Sequence, residues 1–280
     1  MPELPEVETV VADLRPWLAG ATIEEVRLCF PSIVRHPEPE RFAAVLRERT
    51  ITSVTRRGKY ILAVVGGDDL LVVHLGMTGH LSYVERGSPL APHTHAIFLL
   101  RPAGSTAATV ELRYRDVRRF GRLLFGTEAE LTAARKLPRL GPEPLDPAFS
   151  PQDLYRRLHR RRAPLKALLL DQAVLAGVGN IYADESCFRA RVRPDRAAAE
   201  LSRPAVRRLH AALRETLAMG IANRGSSVDD YVDAWGEQGS HQRVLQVYGH
   251  AGEPCPRCGR PLALVRIAGR STVFCRRCQR

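Results

Sequence analysis

An α+β fold is predicted: an N-terminal β-sandwich carrying one helix, a helical second half, and a four-cysteine zinc ribbon at the C-terminal end. Three observations predict it. Short runs rich in Val, Ile, Leu and Tyr, divided by Gly, Asp and Pro, recur between residues 22 and 125. A Pro-rich stretch, Leu137–Pro151, then separates them from a helical pattern. Last, two Cys-x-x-Cys pairs close the sequence.

Residues 5–19 form the first predicted helix, opened by Pro5 with acids in its first turn and closed by Gly20, with Pro16 bending or shortening it. The strand runs are Thr22–Phe30, Ile51–Thr55, Tyr60–Val65, Leu70–Leu75, His80–Val84, Ala96–Leu100, Val110–Tyr114 and Arg122–Phe125, with a short helix over Glu38–Glu48. Residues 1–135 make the sandwich domain and 136–150 a linker. Residues 151–225 are helical: Ser150 caps a helix with Pro at its first turn, and further helices cover Leu165–Leu175, Ile181–Ala190 and Pro204–Ile221. Residues 226–247, rich in Gly, Ser, Asp and Gln, read as a mobile loop, and 248–280 as a terminal module.

Lys and Arg number 42 against 30 Asp and Glu, a formal charge of +12, which points to a polyanion, most often nucleic acid. A basic surface kept for solubility is the plainer alternative. The charge is uneven. Residues 249–280 hold seven arginines against one acid, Glu253, a net of +6, and Leu154–Leu170 holds six basic residues and no acid. No apolar run approaches the roughly 18 residues of a membrane span, and the first ten residues lack a signal-peptide core. A cytoplasmic protein with reduced thiols is expected.

Cys255, Cys258, Cys275 and Cys278 therefore read as ligands of one structural Zn2+. Sixteen residues separate the two pairs, within the range of four-cysteine zinc sites. Four thiolates close the tetrahedron and leave no position for water, so the metal supports the fold and does no chemistry. A hairpin turning at Ala268-Gly269 joins the pairs and carries Arg270 at its tip, placed for phosphate contact. Cys29 and Cys187 lie in apolar contexts and are expected in the core.

Pro2 follows Met1 directly. Removal of Met1 would leave a secondary amine, a nucleophile able to form an iminium at a sugar C1′. Glu3 adjoins it and Glu6 lies one turn on, both able to move protons. Proline and acids are equally what an ordinary helix start favours; chemistry alone leaves both readings open.

The motifs MPELPEVET at the start, HLGMTG at 74–79, RRFG at 118–121, AGVGNIYADE at 176–185 and VYGHAGEPCPRCG at 247–259 together resemble the formamidopyrimidine-DNA glycosylases of bacteria. The resemblance runs from residue 2 to residue 279. It implies a monomeric base-excision repair enzyme acting on double-stranded DNA containing damaged bases, with a helix-two-turn-helix domain over 151–225. It implies Pro2 as nucleophile, Glu3 as the acid for base loss, Lys59 in β-elimination and Arg270 in δ-elimination. Met77, Arg118 and Phe120 match residues that fill the gap left by an extruded base. His74, His93, Arg162 and Asn180 match DNA contacts. Taken alone, Lys59 is a strand-end lysine, Met77 and Phe120 are core residues and Asn180 is a turn residue. Residues 226–247 match only loosely the family loop that covers the damaged base, and Asp229, Asp230 and Asp233 leave base recognition open.

The expected activity is that of a bifunctional glycosylase and lyase excising oxidised purines. Relatives acting on oxidised pyrimidines, the endonuclease VIII type, usually begin PEGPE, so Leu4 favours the purine branch. A non-catalytic zinc-ribbon DNA-binding protein is the alternative from another class; it would bind DNA and leave no strand break.

Overall fold

A computed structural model describes residues 1–280. Its chain divides into two compact units, Met1–Arg139 with Arg224–Gly239, and Leu140–Asn223 with Ser240–Arg280.

In the first unit, helix α1 covers Leu4–Leu18. Val7, Val10, Val11, Leu14 and Leu18 recur at helical spacing and are all buried. Pro16 falls inside the last turn without stopping the helix, which ends as the Ala19 amide bonds the Arg15 carbonyl. Then come β1 (Thr22–Leu28), β2 (Val34–His36), α2 (Pro39–Leu46), β3 (Arg49–Arg57), β4 (Tyr60–Val65) and β5 (Asp69–His74). Strands β6 (Gly79–Glu85), β7 (Thr94–Arg101), β8 (Val110–Asp116) and β9 (Arg122–Thr127) complete the sheet, followed by α3 (Glu128–Ala133).

The nine strands run in the order β2-β9-β5-β4-β3-β1-β7-β8-β6. Only two residue pairs, Thr22↔Thr50 and Ile23↔Arg49, join β1 to β3. Each half buries one face: Ile61, Leu71, Val73 and Leu123 on one side and Phe98, Leu112, Leu81 and Tyr114 on the other belong to a single core, which α1 also enters. This shared core is the predicted sandwich.

The second unit contains α4 (Pro151–Leu158), α5 (Leu165–Leu170), α6 (Asn180–Ala190), α7 (Arg203–Ala222) and the hairpin β10 (Ala263–Ile267) with β11 (Arg270–Phe274). Ser150 caps α4 as predicted, accepting from the Asp153 amide at 3.2 Å while Asp153 accepts from the Ser150 amide at 3.0 Å.

Several expectations need correction. The helix predicted over Leu165–Leu175 stops at Leu170, because the Asp171 carboxylate takes the Ala173 amide at 2.9 Å and turns the chain. Cys29 is exposed just past the end of β1, outside the core that its apolar neighbours suggested, whereas Cys187 is buried. Two short elements were absent from the sequence reading. Three-residue β2 has no periodicity to detect; α3 does carry a Thr127–Glu130 capping box. No helix is long and apolar enough to cross a membrane.

Candidate active site and nucleic-acid interface

Pro2 is buried directly before α1, and Glu3 is that helix's N-cap. While Met1 remains, the Pro2 nitrogen is an amide, and the Met1 ammonium lies 3.8 Å from the Asp229 carboxylate. Glu3 and Glu6 are each only 2% exposed. One Glu6 oxygen accepts from the Glu3 amide at 2.8 Å and the other from the Ser226 amide at 2.8 Å. Glu6 thus ties the N-terminal end of α1 to residues 224–239, and its geometry is that of a positioning group. Tyr231 reinforces the tie by donating to the Glu6 carbonyl at 3.3 Å.

Arg224–Gly239 packs with the first unit. Arg224 forms ion pairs with Asp13 and Asp233, and the buried Asp233 carboxylate also accepts from the Trp235 and Glu237 amides. Of the three aspartates in this loop, Asp233 is therefore committed to folding it.

Strand register gathers a second group. Tyr60 on β4 pairs with His74 on β5, and His74 pairs with Arg122 on β9. Three connections consequently leave the same end of the sheet: the Gly58-Lys59 turn, the loop after His74 with Met77, and the loop before Arg122 with Arg118 and Phe120. Lys59 is only 6% exposed. Arg56 donates to the Glu8 carboxylate at 2.8 Å and to the Gly58 carbonyl at 2.9 Å, which joins α1 to the turn holding Lys59.

Asp116 organises the two loops. Its buried carboxylate accepts from Thr78 Oγ1 at 2.6 Å, from the Gly121 amide at 2.8 Å and from the Arg118 amide at 3.2 Å. Its amide donates to the carbonyl of His93 at 3.1 Å, so exposed His93 also sits at this end. The glycines of the two motifs make the approach possible. A Cβ on Gly76 would stand 2.5 Å from the Gly121 nitrogen, and one on Gly121 would stand 1.7 Å from the Tyr114 hydroxyl. The loops present Phe120, 57% exposed, with the Arg118 guanidinium 4.9 Å above its ring. An exposed ring beside a cation is a poor core residue and a good stacking wedge. Replacing Asp116 by Ala strands the Thr78 hydroxyl and the Gly121 amide without an acceptor, while the Arg118 amide keeps Thr78 Oγ1 at 3.0 Å. A loss of about 3 kcal/mol, near 6–10 °C in Tm, is expected in calorimetry.

His74 accepts from the Gly76 amide at 3.2 Å through Nδ1. Burial first, then the charges of Arg122 and Lys59, push its imidazole down to about 4 from an ordinary 6.5. The ring is neutral at pH 7. The folded state binds this proton more weakly than the unfolded state, so stability is full above pH 6.5 and is lost as pH falls towards 4, by about 3 kcal/mol in all. An NMR titration should give a His74 midpoint below pH 5; a midpoint near 6.5 would contradict its burial beside two cations.

In the second unit, the four cysteine sulfurs lie within 4.8 Å of one another, with Cys258 to Cys275 at 3.5 Å and Cys255 to Cys278 at 3.9 Å. A tetrahedron with Zn–S near 2.3 Å requires sulfurs about 3.8 Å apart, so the four fit one zinc ion. The ribbon shares a small core with Phe188 of α6 and Val247. Arg270 is exposed at the start of β11, as predicted. Next to it, the Ser271 carbonyl accepts from Lys166 at 2.8 Å, and Lys166 pairs with Asp184 at 2.7 Å in a fully buried site. Asp184 in turn accepts from the Val273 amide at 3.0 Å. Burial pushes the Asp184 carboxyl up despite the adjacent ammonium. This cluster fixes α5, α6 and the hairpin together, so the Arg270 tip is held by a buried ion pair. Asn180, one turn before Asp184, begins α6 with its Oδ1 buried and unpartnered, a cost typical of a functional position. Arg162 is exposed in the connection before α5.

The first unit's residues 1–123 match the model of the formamidopyrimidine-DNA glycosylase N-terminal domain. Residues 140–232 match the H2TH domain of the same enzymes, and residues 252–280 the zinc finger found in FPG and IleRS. The chain belongs to the formamidopyrimidine-DNA glycosylase family. Among the family's curated members, that of Moorella thermoacetica is 52% identical over 95% of each chain, and that of Geobacillus kaustophilus 46% identical over 100% of each. Solved family structures agree. MutM (FPG) of Thermus thermophilus superposes with a TM-score of 0.86 at 44% identity, covering 99% of this chain and 98% of that one. Lactococcus lactis Fpg in complex with abasic-site DNA gives 0.90 at 33% identity, covering 99% of both.

Residues that sequence reasoning missed are those that hold the family's motifs in place: Glu8 and Arg56 beneath the Lys59 turn, Asp116 beneath Phe120, and Lys166, Asp184 and Glu185 beneath the ribbon. Glu185 takes the Gln246, Val247 and Tyr248 amides at 2.8–3.0 Å. The motif ADE at 183–185 offered a signal: two adjacent acids on an otherwise apolar helix need buried partners.

Proposed function

We propose that this protein is a bifunctional DNA glycosylase and lyase that excises oxidised purines, 8-oxoguanine and formamidopyrimidines, from duplex DNA. The observation that carries the reading is Pro2 placed at the N-terminal end of α1, beside the buried Glu3 carboxyl and in a family whose Lactococcus lactis member was solved with abasic and Fapy-type lesion DNA.

A damaged nucleotide leaves the helix, and Arg118, Phe120 and Met77 occupy the vacated stack. The Pro2 nitrogen lone pair bonds to C1′ as the glycosidic bond breaks, and Glu3 supplies a proton to the departing base. The C1′–O4′ bond then breaks, O4′ taking a proton to leave as a hydroxyl, and the ring-opened iminium that results acidifies C2′. Loss of the C2′ proton expels the 3′ phosphate with help from Lys59, and a second elimination at the 5′ side involves Arg270. Neutral His74, exposed His93, Arg162 and Asn180 hold backbone phosphates. The zinc takes no part in these steps; with four thiolates it keeps the Arg270 hairpin folded.

Glu3→Gln should slow base excision by roughly 10²–10⁴-fold. Adduct formation on DNA whose base is already missing should persist, because no leaving base needs a proton. Equal losses on both substrates would remove Glu3 from base departure.

Turnover on a panel of duplexes tests the substrate. The reading expects 8-oxoguanine and formamidopyrimidine lesions to be cut well ahead of oxidised pyrimidines. Preference for oxidised pyrimidines would move the protein to the endonuclease VIII type, and binding without cleavage would make it a non-catalytic DNA-binding protein.

A further inference from the structure

A concave cluster of arginines lies at the cysteine-bearing end of the ribbon, bordered by the zinc ligand Cys278 and apart from Pro2, Lys59, Asn180 and Arg270. A cavity of about 710 Å³ is lined by Arg191, Arg196, Arg208, Arg257, Arg277 and Arg280, with Ser202, Ala205 and Cys278 between them and no Asp or Glu. Two of these guanidinia form its fixed floor. Arg257 stacks 4.2 Å over the Phe188 ring and donates to the Phe188 carbonyl at 2.7 Å, and Arg208 donates to the Ala190 carbonyl at 3.3 Å. Both therefore cap the negative end of α6. Arg196 faces Glu200 at 3.5 Å. Arg191, Arg277 and Arg280 are exposed and make no ion pair.

Position separates this cavity from the lesion-handling residues of the same unit. Arg191 follows the last residue of α6, while Asn180 is its first, so the helix places them about 16 Å apart. Arg270 sits at the turn end of the β10–β11 hairpin, whereas Arg257 and Arg277 flank the cysteines at its open end. Glu200 beside Arg196 and the net negative charge of a four-thiolate zinc beside Cys278 offset part of the cavity's charge, yet the six guanidinia still outnumber these anionic groups and favour a further counter-ion. Planar guanidinia favour bidentate contact with phosphate oxygens. One phosphate would leave most of the concavity unfilled; a chain of them matches both its size and its spread of charge.

The geometry points to a site for a chain of phosphates, supplied either by the backbone of a second nucleic-acid segment or by a free oligophosphate. On a second duplex this would let one protein molecule bridge two stretches of DNA. The site is sequence-independent, since it offers guanidinia and no groove-reading element.

The test uses the full zinc-loaded chain with donor-labelled and acceptor-labelled undamaged duplexes, and separately with inorganic tripolyphosphate. Energy transfer between two duplexes on one protein would identify nucleic acid as the source. Stoichiometric tripolyphosphate binding without a second duplex would identify the free oligophosphate. In either case Arg277→Gln/Arg280→Gln should weaken that second event at least about tenfold and lower its salt slope by about 2. Binding of the first duplex should stay unchanged. Because Arg277 adjoins a zinc ligand, Arg191→Gln serves as a second variant, with zinc content and Tm matched to the parent. Absence of both second-duplex and tripolyphosphate binding, or second-site binding that neither variant weakens, would overturn the proposal.

Discussion

Protein carrying any residue ahead of Pro2 is expected to lose base excision by on the order of 10⁴-fold or more, the scale seen when a nucleophile is removed. The reason is electronic. With Met1 attached, the Pro2 nitrogen is an amide whose lone pair is delocalised into the carbonyl, and it can neither attack C1′ nor carry the resulting iminium. The geometry allows the modified protein to fold: Met1 is accommodated at the surface, with its ammonium 3.8 Å from Asp229. The loss should therefore come without a fall in Tm and with duplex binding retained. Comparing processed protein with protein bearing an uncleavable N-terminal extension, by single-turnover excision, checks this. Similar rates would remove Pro2 from the chemistry.

Loss of zinc is the second large effect. The ribbon of residues 252–280 contributes only a handful of apolar side chains to the core around Phe188 and Val247, too few to hold a hairpin without the metal. Chelation, or Cys275→Ala, should unfold β10 and β11, release Lys166 and Asp184 from their bonds to Ser271 and Val273, and withdraw Arg270. A buried pair left half-solvated adds its own cost. DNA affinity should fall about a hundredfold or more, with a shallower salt dependence because fewer phosphates are neutralised. Fluorescence anisotropy at several salt concentrations, after metal analysis confirms the loss, measures both. Unchanged affinity would contradict the ribbon's place in binding.

What was legible in the sequence is what local chemistry determines. The first helix shows because apolar residues recur at its period between Val7 and Leu18. The zinc ribbon shows because ligand spacing is a short-range property, and the strands show through their Val, Ile and Leu runs. The supporting groups did not show, because their partners lie far along the chain. Asp116 meets Thr78 38 residues away, Arg56 meets Glu8 48 away, Lys166 meets Ser271 105 away and Glu6 meets Ser226 220 away. No window of periodicity spans such distances. For the same reason Arg224–Gly239, which reads as a polar loop, gave no sign that Glu6, Asp13 and His80 would anchor it to the first unit. Cys29 erred in the other direction: apolar neighbours in sequence said nothing of its place just beyond the last residue of β1.

The most direct test of the central claim is to reduce the protein with borohydride during reaction on 8-oxoguanine duplex, digest the product and locate the adduct by mass spectrometry. The account predicts a sugar remnant on the nitrogen of Pro2, with Met1 absent. A remnant on Lys59 or any other side chain, or no adduct in protein that still cuts the lesion strand, would contradict it.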